Sequence, residues 1–291
     1  MQTRSRGFTL IELVIAITLT FIVVGMMALF VTAPIEAFFA QTRRAELNDS
    51  VDGVWRSLAR DVRNALPNSV RRINVAGVEA LEMLEVVDSA RYRPQRVATV
   101  PNDELYFNVG DQLFATAGRF QNAAPGFDRT DWYLAIDNRG IAGGDAYAFN
   151  NVMTPPGTRI RVNASAIAGA DQVQFDAPVV FAPGPGSPTR RMHLVAGPVT
   201  YLCNPAARTV VRYNGYIIAA GQAARASHGA LVGAGAVVTP IAADITACTF
   251  SVSATPVLAT DPIPVVTIRL TASQQNESVN LMYQAHSEQL Q

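Results

Sequence analysis

Two hydrophobic patterns divide the first third of the chain. From Leu13 to Thr32 no residue is charged and most are apolar, twenty positions without a polar face. About twenty helical residues of this kind span a ~30 Å hydrocarbon core. Beyond it the pattern narrows to a stripe. Leu47, Val51, Val54, Leu58, Val62 and Leu66 recur at spacings of three and four, joined by Trp55. Arg43, Arg44, Glu46, Asp49, Asp52, Arg56, Arg60, Asp61 and Arg63 cover the other faces, as on an amphipathic helix. Asp52 and Arg56 stand one turn apart, an ion pair worth a few tenths of a kcal/mol. Pro67 is the stop, since the residue before a proline avoids the helical region. One helix is therefore expected from Phe8 to Leu66, roughly 88 Å long at ~1.5 Å per residue. Pro34 removes the bond to Phe30 and is expected to kink it. Gly25 is a second weak point.

After Pro67 the helical period fades. Short β-type runs alternate with Gly, Pro and Asn-rich breaks. The expected strands are Leu81–Val87, Glu104–Val109, Trp132–Ile136, Thr158–Val162, Gln172–Phe175, Met192–Val195, Val199–Cys203, Thr209–Tyr213, Thr249–Ser253, Val265–Ala272 and Val279–Ala285. The last two read as a hairpin around the polar segment Ser273–Ser278. Alternation puts Val266, Ile268 and Leu270 on one face, and Val279, Leu281 and Tyr283 likewise, so the sheet has one covered side and the stem helix is the natural cover. Residues 182–188 read as an exposed turn segment. The Ala/Gly stretch Gly221–Ala236 reads as a mobile loop. No fixed repeat period argues for a solenoid or propeller.

Charge then decides orientation. Arg4 and Arg6 precede the apolar run and hold the N-terminus in the cytoplasm, so the rest crosses outward. The run is too long for an ordinary secretory signal, and no Ala-x-Ala cleavage site follows it. The apolar piece is therefore expected to be retained, with any processing on its N-terminal side. Glu12 is the anomaly. A charge at the centre of a membrane helix costs about 2.5–3.5 kcal/mol, less near its end. Either Glu12 sits in interfacial water, or a positive group neutralises it within an assembly. A free amine at Phe8, made by cutting after Gly7, would be one helical turn away on the same face.

Arg6-Gly7-Phe8-Thr9-Leu10-Ile11-Glu12-Leu13 resembles the leader junction of prepilins and pseudopilins, the subunits of type IV pili and type II secretion systems. The resemblance implies cleavage between Gly7 and Phe8 by the prepilin peptidase, N-methylation of Phe8, and pairing of Glu12 with the Phe8 amine of an adjacent subunit. It implies an α+β, pilin-like fold: a leader (1–7), a transmembrane and assembly helix (8–33), an amphipathic stem (34–66) and an antiparallel β-rich periplasmic head (67–291). It further implies partnership with other major and minor pilins through the N-terminal helix, and with an inner-membrane assembly platform. The chain would be held in the inner membrane by one span, then carried into a pilus or pseudopilus. Arg60–Arg71, Leu81–Arg93 and Gly197–Cys203 are similar to the minor pilin-like MshO family of MSHA biogenesis, MSHA being the mannose-sensitive haemagglutinin pilus. PilW-type minor pilins, J-type pseudopilins of type II secretion, and a tip adhesin are the alternatives.

Composition excludes more than it selects. Lys plus Arg and Asp plus Glu are both 23, so the net charge is zero and broad nucleic-acid binding is not expected. Two cysteines among 291 residues exclude a disulfide-dense scaffold. Outside the cytoplasm, Cys203 and Cys248 are expected to form a bridge contributing about 4 kcal/mol by loop closure. The three histidines, His193, His228 and His286, lack zinc spacing. No nucleophile elbow, P-loop or dinucleotide motif is present, so no enzyme and no cofactor is expected. Asp128, Asp131, Asp137, Asn138 and Asp145 cluster in one loop-rich region; oxygen ligands can hold calcium, but the spacing is not that of an EF-hand and aspartate is common in turns.

Overall fold

A computed structural model describes residues 7–93, 104–182, 187, 189–256, 262–275 and 277–286. Residues 1–6 of the expected leader and most of the expected turn segment 182–188 lie outside this set. The chain is α+β. Helix α1 (Leu10–Arg63) runs through Pro34 without a break in its helical turns. Three antiparallel sheets follow. The first has the order β1 (Arg71–Val75), β2 (Val78–Arg91), β8 (Arg191–Asn204), β9 (Thr209–Asn214) and β10 (Val237–Ala243), with β5 (Tyr133–Ala135) also on β8. The second is β11 (Ile245–Pro256), β12 (Pro262–Gln274) and β13 (Glu277–His286). The third is β3 (Gly110–Ala115), β7 (Asp171–Val180), β6 (Ile160–Ala164) and β4 (Phe127–Arg129).

The stem packs against the first two sheets. Leu47, Val51, Val54, Leu58 and Val62 are buried against Leu81, Met83, Val199 and Tyr201 of the first sheet and Phe250, Val266, Ile268 and Leu270 of the second. Each fully buried aliphatic side chain contributes roughly 1.5–3 kcal/mol. The expected alternation on β12 and β13 is present: Val266, Ile268 and Leu270 are buried, and Val279, Leu281 and Tyr283 are half-buried while their neighbours face out. Trp55 stacks on Tyr283 with ring centroids 4.8 Å apart. A disulfide joins Cys203 of β8 to Cys248 of β11, so one covalent bond ties together the two sheets that hold the stem. A second core, with Phe114, Phe175, Phe181, Leu134 and Leu194, fills the space between the third sheet and the first half of β8.

The elements differ from expectation at several points. The helix ends at Arg63, not Leu66: Ala65 bridges to Glu85, and Leu66 N–H donates to Leu84 C=O at 2.8 Å, so the sheet takes these residues before Pro67 can act. Glu104–Val109 is not a strand. Its Tyr106 N–H donates to the Asp111 carboxylate at 2.9 Å, and Asn108 is left-handed, so local side-chain bonding displaces the ladder, which begins at Gly110. Met192–Val195 and Val199–Cys203 are one strand. Pro198 does not interrupt it, because it falls in the gap between the partners on that edge, β5 at 193–195 and β9 from 199. Gly221–Ala236 is not a loop: Gln222–Arg225 forms a 3₁₀ turn and His228–Gly233 forms α2, N-capped by Ser227 Oγ and anchored by buried Leu231. The strands β1, β3, β4 and β10 were not anticipated.

A buried polar set locks the stem in register. Asp61, 2% exposed, accepts from Tyr201 Oη at 2.7 Å and from Arg212 Nε at 2.6 Å. Since Tyr201 gives its proton to Asp61, Ser57 Oγ must donate to Tyr201, at 2.8 Å. Burial, then the Asp61 charge, pushes the Tyr201 phenol well above its ordinary range. Glu85 also lies in the field of Arg212. Asp61→Ala removes the acceptor of two buried donors, with Glu85 a partial substitute for Arg212 alone. It is expected to destabilise the chain by about 3 kcal/mol, with Asp61→Asn milder. Urea unfolding of the full chain in non-ionic detergent measures this; an unchanged midpoint would remove Asp61 from the locking role.

Candidate functional site

Gly7, Phe8 and Thr9 lead into α1 without helical conformation. Thr9 is the N-cap: its Oγ1 accepts from Glu12 N–H at 3.4 Å and its C=O from Leu13 N–H at 3.2 Å. Thr9 and Glu12 are the residue pair of a capping box, and Glu12 stands in the first turn, where the unpaired N–H groups favour a carboxylate. This cap was legible as Thr-x-x-Glu before an apolar run, but was missed. Phe8 lies outside the helix, so the expected one-turn relation of Phe8 to Glu12 on a shared helical face is not found within the chain. Phe8 is 72% exposed, and a Cβ at Gly7 would meet nothing within 4 Å. Among the described residues nothing packs over the bond between them. Downstream, Leu10–Met27 has no residue buried by the fold and is long and apolar enough to cross a membrane.

Residues 2–28 match the family described as the prokaryotic N-terminal methylation motif. The motif supports a type IV pilin- or pseudopilin-like protein. No curated protein and no solved structure matches the chain. In a pilin-like chain the motif implies processing by prepilin peptidase and interaction with pilins generally, and the apolar helix fits a single-pass membrane anchor.

The remaining candidates are dispersed. Asp128 forms a two-pronged pair with Arg159 at 2.7 and 2.6 Å, with Arg161 at 3.5 Å. The hydrogen bond from Arg159, then the nearby positive charge, keeps its carboxyl below the usual range. Asp131 faces Arg129, and Asp137 lies 4.0 Å from Arg139. Asp145 caps a 3₁₀ turn by accepting from Tyr147 N–H. Asn138 is buried, donating to Pro67 C=O and accepting from Ala146 N–H. The region is thus arginine pairs and turn caps, and among the described residues no three His, Cys, Asp or Glu side chains converge as a metal would need.

Two histidines meet hydroxyls. His228 Nδ1 is 2.7 Å from Tyr213 Oη, and His193 Nδ1 is 2.8 Å from Ser89 Oγ in a cleft beside the end of the stem. The second pair has the residue types of a nucleophile and its base. Burial, then Arg191, pushes the His193 pKa down to about 4, and a base so weak activates a hydroxyl poorly. The nearby carboxylate, Asp88, is turned away to accept from the backbone N–H groups of Ser89, Asn122 and Ala123. The pair therefore satisfies a half-buried ring rather than building a triad. Its consequence is a pH dependence. The unfolded ring protonates near 6.5 and the folded ring only near 4, so folding loses stability as pH falls through that window. The expected loss is on the order of 2–3 kcal/mol between pH 7 and 4, the cleft's water taking off part of the full value. Denaturant midpoints of wild type and His193→Gln across pH 4–7 check this, the variant showing the flatter profile.

Proposed function

We propose that this chain is a minor pilin-like subunit of an extracytoplasmic type IV filament of the MSHA kind, acting in filament initiation or at its tip. The observation that carries the reading is the division of α1. One half is apolar with nothing of its own fold to cover it; the other is clasped by a folded head. The uncovered half suits lipid before assembly and other stems after it. The roughly 225 residues beyond Pro67 make a bulky head, awkward for thousands of close-packed copies and suited to a few. The disulfide supports a head on the oxidising side of the membrane.

In this reading Glu12 fixes axial register. Cleavage after Gly7 frees the Phe8 amine, and a neighbouring stem slides until that cation meets Glu12. A buried pair of this kind specifies geometry more than it adds stability. The MSHA assignment draws on the segments Arg60–Arg71, Leu81–Arg93 and Gly197–Cys203. Filament composition tests it: co-purification with secretion components instead of pilins would place the chain in a type II pseudopilus.

Two outcomes are expected. Mass spectrometry of the mature protein should find methylated Phe8 as its first residue; a start at Met1 or beyond Ala33 would refute retention of the apolar stem. Glu12→Ala should insert in the membrane and be processed like wild type, yet be depleted at least tenfold from purified filaments. Wild-type amounts in filaments would defeat the register role.

A further inference from the structure

The cleft that holds His193 has a volume of about 730 Å³ and lies at the far end of the stem. Four arginines reach it from four separate segments: Arg63 from the last turn of α1, Arg91 from the end of β2, Arg119 from the loop after β3, and Arg191 from the start of β8. Arg91 and Arg191 are direct partners in the β2–β8 ladder. Like charges placed opposite each other across two strands are destabilising. Burial, then Arg91, holds the Arg191 guanidinium below its ordinary range. Elsewhere among the described residues of the head many arginines are neutralised, as in Arg71–Glu82, Arg159–Asp128, Arg208–Asp244 and Arg212–Asp61, and those that are not, Arg93, Arg190, Arg225 and Arg269, do not line this cleft. Among the described residues Arg63, Arg91 and Arg119 make no ion pair. With a net charge of zero for the whole chain, this clustering is not general basicity.

The cleft is also built. Register shifts between Glu85 and Asp88 bend β2 at its wall, as bulges do where a strand must re-aim its side chains. Asp88 Oδ2 accepts from two backbone N–H groups of the loop that carries Arg119, Oδ1 accepts from Ser89 N–H, and Asn122 Nδ2 ties the same loop to Val87 C=O. The carboxylate thus positions a cation without pairing with it.

We propose that this cleft binds an acidic oligosaccharide, a short run of carboxylated or sulfated sugar units. Planar guanidinium groups grip carboxylate and sulfate oxygens in pairs, and several together demand several acid groups. The exposed amides of Asn64 and Gln121 in the wall suit hydroxyls. The volume is that of a small-ligand pocket, and a concave site of this size is unlike the broad patch a protein partner covers. A lipid headgroup is out of reach, since Met27 to Arg63 is roughly 54 Å of helix at ~1.5 Å per residue. The filament reading enters only as the reason the head would meet such a polymer; binding itself is a property of the head.

The test is fluorescence anisotropy with the full chain in non-ionic detergent. The probes are labelled trigalacturonate and a sulfated heparin tetrasaccharide, with maltotriose, hexaglutamate and tripolyphosphate as competitors. Saturable binding of an acidic saccharide is expected, weakened by salt and not displaced by maltotriose. Arg91→Gln and Arg119→Gln should each weaken it about tenfold, the loss of one charge-assisted contact, while the exposed Arg269→Gln should not. Arg91→Gln should also raise the Tm by about 1–3 °C by relieving the cross-strand repulsion, a gain that a merely structural arginine would not give. If it unfolds instead, the exposed Arg119→Gln alone decides. No binding of either saccharide, binding indifferent to these substitutions, or stronger competition by hexaglutamate or tripolyphosphate would overturn the proposal. None of these outcomes touches filament membership, and loss of the filament reading would leave the binding intact.

Discussion

A single helix with two different solvents governs this molecule. Its first half presents apolar side chains on every side and its own fold buries none of them between Leu10 and Met27. Its second half drives Leu47, Val51, Val54, Leu58 and Val62 into a core shared by two sheets. Because α1 is continuous through Pro34, whatever orients the apolar half in a membrane or a bundle also orients the head. The head is fastened to this shaft by apolar contact, by Asp61 and its two donors, and by the disulfide that joins the flanking sheets.

The charges follow a division of labour. Some buried carboxylates meet a guanidinium, as Asp61 of the stem meets Arg212 and Glu82 meets Arg71, while others, such as Asp88 and Asp171, accept from backbone N–H groups. Desolvation still dominates Glu82, whose pKa stands above its ordinary value despite that partner, so the pair fixes β1 and β2 geometry more than it stabilises them. Among the described residues, Glu12 and three arginines of the cleft, Arg63, Arg91 and Arg119, form no ion pair. Glu12 stands in the first turn of α1, where its backbone N–H donates to the Thr9 cap, and Arg91 faces Arg191 across the β2–β8 ladder. In the proposed reading, the two ends of the stem are where a neighbouring subunit and a ligand would complete the electrostatics.

Much of this was legible in the residues. The period-3.6 stripe named the buried face of the stem position by position, because an amphipathic helix has only one way to hide its apolar side. The period-2 alternation named the inward faces of β12 and β13. The Gly-Phe-Thr-Leu-Ile-Glu junction carried the match to the N-terminal methylation motif, because that motif is a local run of sequence. What only the tertiary structure decided is pairing. Pro198 reads as a strand breaker until β5 and β9 are seen to leave a gap beside it. The Ala/Gly stretch reads as a loop until Ser227 caps it and Leu231 anchors it. Arg63, Arg91, Arg119 and Arg191 are scattered over more than a hundred positions, and no spacing rule brings them together. Local pattern sets which side of an element seeks apolar company; which elements become neighbours depends on long-range contacts, and so does every site made of more than one of them.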